Sequence, residues 1–428
     1  MKVLLFSHGT RGDVQPFAAL ARALTHAGHE AVLATNAPLA HLAEPYGIRF
    51  APLFDRYDTL SNDPVVRAGY ETNFRGLRGK RLAAALFRRY QPMMARVLDD
   101  MAAIGDEGAD LVVHLPNLPG HEIAERLGVP AALACLQPGW VPTSAFANPL
   151  IPLRLPRPLN RASYLTSRLW VHGQLGNTSR WRRDVLDLPR RRGSRNMLRR
   201  PDGAATTVLH AFSRHLLPER TDYPSWVHTT GFWFLPAPPQ WTPPASLDRF
   251  LRAGEPPVYL GFGSVAGTDP VHAGHVVAEA VRLAGMRAVV VTGSGGISAE
   301  PLSGGNVFVA EETPFDWLFP QVAAVVHHGG AGTLSAALAA GRPQVICPFM
   351  YEQPFNAARM HAAGVATAPL PQSTLTAEKL AAAIERAVDD PALTVRAQEL
   401  GALIRAENGA ATAAELLETL VADGARTH

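Results

Sequence analysis

The sequence predicts an α/β protein built from two Rossmann-like halves. Three observations lead there. Short apolar runs alternate with helical stretches through both halves of the chain, the pattern of buried strands covered by helices. Glycine-bearing turns follow several of those runs, at the strand exits where such sheets bind ligands. A stiff Pro-rich break, Pro236-Ala237-Pro238-Pro239 with Pro243-Pro244, separates the halves. At 428 residues the chain also exceeds what one hydrophobic core organises. The expected divisions are a first domain over 1–235, a linker over 236–256 and a second domain over 257–405. A C-terminal helix over 406–428 is expected to pack back on the first domain.

The first half opens on a short buried strand, Lys2–Ser7, whose apolar run is too brief for a signal peptide. It leads into the turn His8–Pro16, a helix from Phe17 to about Ala27 stopped by Gly28, and a second strand, Ala31–Thr35. Gly9 and Gly12 are too few and wrongly spaced for a dinucleotide fingerprint. Asp13, close to Thr10, stands at the lip of the turn. Either it caps the helix and meets its positive end, or it is a general base facing the cleft above the sheet.

Gly47–Leu53 reads as a third strand, 55–80 as a loop-rich insertion, and Arg81–Met101 as a helix. Ala109–His114 is a strand ending in His114, Glu122–Leu127 is helical, and Ala131–Leu136 is a further strand. A Pro-rich segment over 137–158 carries Trp140 and Phe146. His114 and Trp140 either line an apolar pocket or belong to the core. Nine arginines fall in Arg180–Arg200, which is either a solvated face or a peripheral contact with an anionic membrane surface. Thr207–Phe212 and Val227–Phe234 are the last strands before the linker.

The second half restarts with the strand Pro257–Gly261 and a turn, Gly261-Phe262-Gly263-Ser264, able to bring N–H groups and a hydroxyl to a phosphate. A helix from about His272 to Ala284, strands Ala288–Thr292 and Val307–Ala310, and a short helix Trp317–Phe319 follow. The densest signal comes next: a strand Val322–Val326, the turn HHGGAGT over 327–333, and a helix Leu334–Ala340 closed by Gly341. The glycines admit close backbone approach, and the open N–H groups of the helix start point at one place, which suits a diphosphate. A histidine there adds a donor, or a positive charge when protonated. A second apolar run, Gln344–Phe349, ends in the pair Glu352-Gln353. Ala377–Val388 and Glu399–Leu420 read as amphipathic helices.

Composition narrows the class. A net charge of +3 is too small to argue for nucleic acid. Cys135 and Cys347 lie in apolar runs and read as buried free thiols of a reducing cytoplasm. No apolar run reaches transmembrane length. Asp99-Asp100 and Asp389-Asp390 lack ligand partners, so no metal is expected.

Several motifs together carry a resemblance: GTRGDVQP at Gly9–Pro16, GFWF at Gly231–Phe234, YLGFGS at Tyr259–Ser264, DWLFPQVAAVVHHGGAGT at Asp316–Thr333, and Pro348–Gln353 with its continuation PFNAARM. In this order the chain resembles the nucleotide-sugar-dependent glycosyltransferases of the GT-B fold, two Rossmann-like domains facing across a cleft. Within them it is most similar to the group of sterol glucosyltransferases, bacterial antibiotic glycosyltransferases and rhamnosyltransferases. The resemblance implies an inverting, metal-independent O-glycosyltransferase that moves a hexose or deoxyhexose to a lipophilic acceptor such as a macrolide, polyketide, sterol or lipid.

By position, Asp13 matches the catalytic base. His328, Gly330, Ala331, Gly332 and Thr333 match the donor diphosphate site, with Gly263 and Ser264 beside it. Glu352 and Gln353 match the acid–amide pair that holds sugar hydroxyls. Thr10, His114 and Trp140 fall on the acceptor side. The only cosubstrate implied is the nucleotide sugar, UDP-glucose or a dTDP-sugar, and no cofactor is expected. A monomer or homodimer is expected. Two positions depart from the family pattern: Glu352 stands where Asp is usual, and Ala336 where many relatives carry a ribose-binding Glu. A sugar-nucleotide epimerase on the same fold and an inactive homologue acting as a partner protein are the alternatives.

Overall fold

The computed structural model describes residues 1–56, 63–71, 74, 76–150, 155–176, 178–263, 269–293, 296–302 and 304–426. The chain divides into two compact units: residues 1–214, 219–235 and 407–428 form the first, and 215–218 with 236–406 the second.

The first unit is built on seven strands, β1 (Lys2–Phe6), β2 (Glu30–Asn36), β3 (Arg49–Leu53), β4 (Leu111–His114), β5 (Ala131–Cys135), β6 (Thr207–His210) and β7 (Val227–Thr229), in the order β3-β2-β1-β4-β5-β6-β7. Every pairing is parallel. Helices cover both faces, so the strands read as continuous apolar runs and not as alternations. Val3 and Leu5 face the helix Arg11–His26, where they meet Phe17, Leu20 and Leu24. Leu4 and Phe6 face the other way, toward Met94, Val97 and Met101 of the helix Gly76–Gly105. The C-terminal helix Gly409–Arg426 adds Ala413, Ala414 and Leu417 to the first of these cores, and its small alanines allow close approach to Arg11–His26.

The second unit holds β8 (Val258–Gly261), β9 (Ala288–Val291), β10 (Val307–Ala310), β11 (Val325–His327) and β12 (Gln344–Ile346), again parallel, in the order β10-β9-β8-β11-β12. Val258 and Leu260 pack with Val277, Val281 and Ile384 on one face. Tyr259 packs with Leu318 and Phe319 on the other. Both sheets contain a switch point, where strand order reverses and neighbouring connections leave in opposite directions. It lies between β1 and β4 in the first unit and between β8 and β11 in the second.

Several elements differ from the sequence expectation. The stretch 55–80, expected to be loop-rich, holds the helix Pro64–Glu71 and the start of Gly76–Gly105. The expected linker 236–256 holds the helix Ala245–Arg252, whose Leu247 and Leu251 join the core around Tyr259. The first helix begins at Arg11, with Pro16 inside it, and not at Phe17. Proline this near the start removes only one helix bond, so the turn before it is still helical. The strand feeding the glycine turn is Val325–His327, shifted toward the turn, because Val322 closes a short 3₁₀ turn. The stretch Glu399–Leu420 is two helices, Pro391–Ala406 and Gly409–Arg426, parted at Asn408 with φ of 47°. Among the described residues, no helix is long and apolar enough to cross a membrane.

Candidate active site

Asp13 sits where β1 exits at the switch point of the first sheet. Phe6 is in register with His114 of β4, so the turn after β1 leaves the sheet beside the end of β4. Thr10 is the N-cap of the helix and Asp13 its third residue, so the carboxylate reaches back over the helix start. The Thr10 N–H donates to Asp13 Oδ2 at 2.8 Å and the Thr10 hydroxyl donates to the same oxygen at 3.0 Å. Among the described residues, Oδ1 takes no hydrogen bond. Burial raises the Asp13 pKa above the ordinary carboxylate range, and the two Thr10 hydrogen bonds oppose that shift. Further clamps fix the turn. The Ser7 hydroxyl donates to the Asp13 carbonyl at 2.8 Å, and the Gly9 N–H donates to Asn36 Oδ1 at 2.9 Å.

Capping and base chemistry are therefore not exclusive at Asp13. One oxygen closes the helix start, and the other is open to accept a proton.

His114 and Trp140 are not brought together. His114 is fully buried, with Nδ1 at 2.9 Å from the Leu115 carbonyl oxygen, and burial with His121 nearby lowers its pKa to about 3. Trp140 instead lines a cavity of about 680 Å³, partly open to solvent, with His121, Glu122, Val171, Leu175 and Met197. His121 Nε2 is held by the Ser194 carbonyl at 2.7 Å. Glu122 is 1% exposed, and among the described residues its Oε2 has no hydrogen-bond partner, while Arg182 and Arg191 both bind Glu125. Burial raises its pKa to about 7 against the pull of Arg182. Neither His121 nor Glu122 is evident from sequence, since a helix start after a Pro-Gly pair gives no sign that its side chains face a cavity.

In the second unit the glycine turn leaves β11 at the switch point beside β8. His327 is in register with Gly261 and Ile346 and is structural. Its Nε2 lies 2.8 Å from Gln344 Oε1, and its Nδ1 accepts the Gly329 N–H at 3.0 Å. That pattern requires the neutral imidazole with its proton on Nε2.

His328 turns the other way. It packs on Gly263, where a Cβ would stand 2.7 Å from His328 Cε1 and where φ is +75°. Gly330 is equally close beneath the same ring. Burial lowers the His328 pKa to about 4, so the ring is neutral near pH 7 and offers a donor rather than a charge.

The helix Ala331–Ala339 starts at Gly330 with no side-chain cap. Its first internal bond is from Leu334 N–H to the Gly330 carbonyl, and among the described residues the N–H groups of Ala331, Gly332 and Thr333 have no backbone acceptor. Three open donors at the positive end of a helix, with a neutral histidine beside them, form an anion cradle. Asn356, part of the PFNAARM motif but given no role from the sequence, holds the turn in shape by donating from Nδ2 to the Gly329 carbonyl at 2.9 Å.

Glu352 and Gln353 are both buried, at 8% and 6% exposure. Gln353 Oε1 accepts from the N–H groups of Phe349 and Met350, at 2.8 and 3.1 Å. Its carbonyl is therefore committed to the backbone, which leaves only its NH₂ for a ligand, whereas the sequence suggests both donor and acceptor. Tyr351, immediately before the pair, holds a left-handed φ of 50°. Ser264 lies outside the described residues.

Comparison with known proteins bears on both units. Residues 3–97 match the glycosyltransferase family 28 N-terminal domain. Residues 275–422 match the family described as erythromycin biosynthesis protein CIII-like, C-terminal domain. The chain is 36% identical to O-mycaminosyltylonolide 6-deoxyallosyltransferase of Streptomyces fradiae, over 98% of this chain and 97% of that protein. It is 33% identical to sterol 3-beta-glucosyltransferase UGT80A2 of Arabidopsis thaliana, over 96% of this chain and 64% of that longer protein. Among solved structures, the glycotransferase of kitacinnamycin superposes with a TM-score of 0.68 at 21% identity, covering 98% of this chain and 99% of the other. The glycosyltransferase VinC in complex with dTDP superposes with a TM-score of 0.67 at 20% identity over the whole of both chains. At these identities the structural likeness speaks for the fold.

Proposed function

This chain belongs to the GT-B glycosyltransferases related to the antibiotic and sterol glycosyltransferases, and we propose that within them it is an inverting O-glycosyltransferase that works without a metal ion. The donor is a UDP- or dTDP-linked hexose or deoxyhexose, and the acceptor a hydroxyl of a lipophilic natural product or sterol. The observation that carries this is the anion cradle at the second switch point: three open N–H groups and a neutral His328 around one glycine turn.

In this mechanism Asp13 Oδ1 takes the proton from the acceptor hydroxyl as the acceptor oxygen bonds to the anomeric carbon. The bond from that carbon to the diphosphate oxygen breaks, and its electron pair leaves with the diphosphate. A single displacement enters from the face opposite the leaving group, so the anomeric configuration inverts. The Ala331, Gly332 and Thr333 N–H groups, the Thr333 hydroxyl and His328 meet the charge that grows on the diphosphate, with Gly263 giving the ring room. Glu352 accepts from sugar hydroxyls, and the Gln353 NH₂ donates to one.

The solved neighbour that holds dTDP supports a pyrimidine nucleoside diphosphate in the cradle. An elevated Asp13 pKa suits a general base, because a stronger base drives proton transfer further. The test is acceptor-dependent release of nucleoside diphosphate by wild type and Asp13→Asn. Wild type should turn over with inversion, and the variant should keep the donor but lose transfer. Epimerised sugar nucleotide formed with no acceptor present would replace this function with the epimerase alternative.

A further inference from the structure

We propose that one face of the first unit, formed by the start of the helix Gly76–Gly105 and by residues 157–169, docks on an anionic lipid bilayer surface. Among the described residues the three most exposed large hydrophobic side chains are Leu77 at 78%, Leu169 at 67% and Leu165 at 56%, and Leu159 follows at 50%. Val395 of the second unit, at 54%, ranks between Leu165 and Leu159. The four leucines fall on elements that pack together. Trp170 of the helix Leu165–Leu175 meets Phe87 edge-on at 5.1 Å, and Gln91 Nε2 donates to the Gly173 carbonyl at 2.9 Å. Residue numbers rise together along this contact, so the two helices run the same way. Their starts, Leu77 on one and Leu165 on the other, therefore lie toward the same end.

The charge around these leucines is mostly positive; among the described residues Asp222 pairs with Arg161 and Asp63 with Arg89. The sequence contains no Asp or Glu from 72 to 98 or from 155 to 183. Arg78, Lys80, Arg81, Arg157 and Arg168 form no ion pair among the described residues. The arginine-rich stretch 180–200 is different, since much of its charge is spent internally. Arg182 and Arg191 hold Glu125, Arg183 holds Asp184, and Arg200 holds Asp202. Protruding leucines ringed by unpaired cations fit a bilayer interface, where phosphate headgroups take the charge and the acyl boundary takes the leucines.

The helix Leu165–Leu175 also has an inner side. Ser167, Val171 and Leu175 line the cavity that contains Trp140 and Glu122. Docking places that wall at the lipid boundary, so an acceptor dissolved in the membrane reaches the cavity without crossing water. This use of the surface rests on the function proposed above, whereas the docking does not.

The experiment is vesicle co-sedimentation of the full chain, with phosphatidylcholine alone and with phosphatidylcholine mixed with phosphatidylglycerol. Wild type should sediment with the mixed vesicles and be released by salt. Leu165→Ser with Leu169→Ser should weaken that binding by about tenfold or more, and Arg78→Gln with Arg81→Gln should weaken it on anionic vesicles only. Leu403→Ser, which removes a leucine 48% exposed in the second unit, should bind as wild type. Unchanged melting and unchanged UDP or dTDP affinity in the leucine variant show that it is folded. Wild type that fails to sediment, or leucine variants that sediment equally well, would overturn the proposal. A concentration-dependent dimer abolished by the leucine changes, without vesicle binding, would overturn it too and assign the face to a second copy. Turnover of a water-soluble acceptor without vesicles reads the transferase reaction separately, so loss of docking and loss of the proposed function are distinguishable.

Discussion

Thr10 grips a single oxygen of Asp13, with its N–H at 2.8 Å and its hydroxyl at 3.0 Å from Oδ2. Oδ2 belongs to the helix start and aims the group, while Oδ1 takes no hydrogen bond among the described residues and is the atom that receives the proton in the proposed mechanism. Burial works against the charge that both roles require, which is how a capping residue acquires the basicity of a proton acceptor.

Asp13→Asn should therefore separate activity from stability. Transfer should fall by about 10²–10⁴, the usual range for a lost general base, while donor affinity stays within a few fold. The folded-state pKa of Asp13 is raised, so the native protein binds protons more readily than the unfolded chain and loses stability as pH rises through that pKa. The neutral Asn avoids this loss and still accepts from Thr10. At pH 8 the variant should melt at or above the wild-type temperature, and a clear fall in melting temperature would contradict this.

Thr10→Val removes the hydroxyl donor and leaves the N–H. Hydrogen bonds to a carboxylate favour its charged form, so the Asp13 pKa should rise further. The acid limb of the kcat/KM profile should move to higher pH, with little change in donor affinity. A profile identical to wild type would show that the hydroxyl does not tune the base.

Glu122 makes a similar prediction at a different place. Its pKa is lifted from 4.5 to about 7, so stability should fall as pH rises across that window. Glu122→Gln should remove the fall. Relative to wild type it should gain up to roughly 3 kcal/mol at pH 8 and little at pH 4, because a tenfold change in proton affinity is worth about 1.36 kcal/mol. Denaturant melts at the two pH values measure this. A difference that does not vary with pH would refute it.

Gly263→Ala should damage the donor site from beneath. A Cβ would stand 2.7 Å from His328 Cε1, at a φ of +75° that alanine resists. Stability should drop by about 1–3 kcal/mol and donor affinity should fall with it. Asn356→Leu is the companion test, because losing the Gly329 clamp should cost about 1–3 kcal/mol. Both are read by thermal melting and calorimetry.

Much of this is legible in the chain because the relevant signals are local. A strand, a run of glycines and a helix start, all close together, specify the turn at His328 before any packing is considered. The two sheets follow from apolar runs that burial on both faces makes continuous. Other features need the third dimension. The break at Asn408 is invisible to periodicity, since apolar residues continue on both sides, and only the tolerance of Asn for left-handed backbone hints at it. The helix Leu165–Leu175 gives no helical period to read, because Leu165 and Leu169 point outward while Val171 is buried. Gln353 offers an amide in the sequence, and nothing there tells that the Phe349 and Met350 N–H groups consume its carbonyl. His114 looks like a strand-end pocket residue, yet it is sealed in the core while His121, at the start of the next helix, reaches the cavity.

The central claim is that the turn around His328 binds the diphosphate of a nucleotide sugar, and calorimetric titration of UDP and dTDP into wild type and His328→Ala tests it most directly. Wild type should bind at least one of the two. The variant should bind it about 10–100-fold more weakly, the worth of one hydrogen bond to a charged group. Equal affinity in the two proteins, or binding of neither nucleotide by wild type, would contradict the assignment of this turn as the donor site.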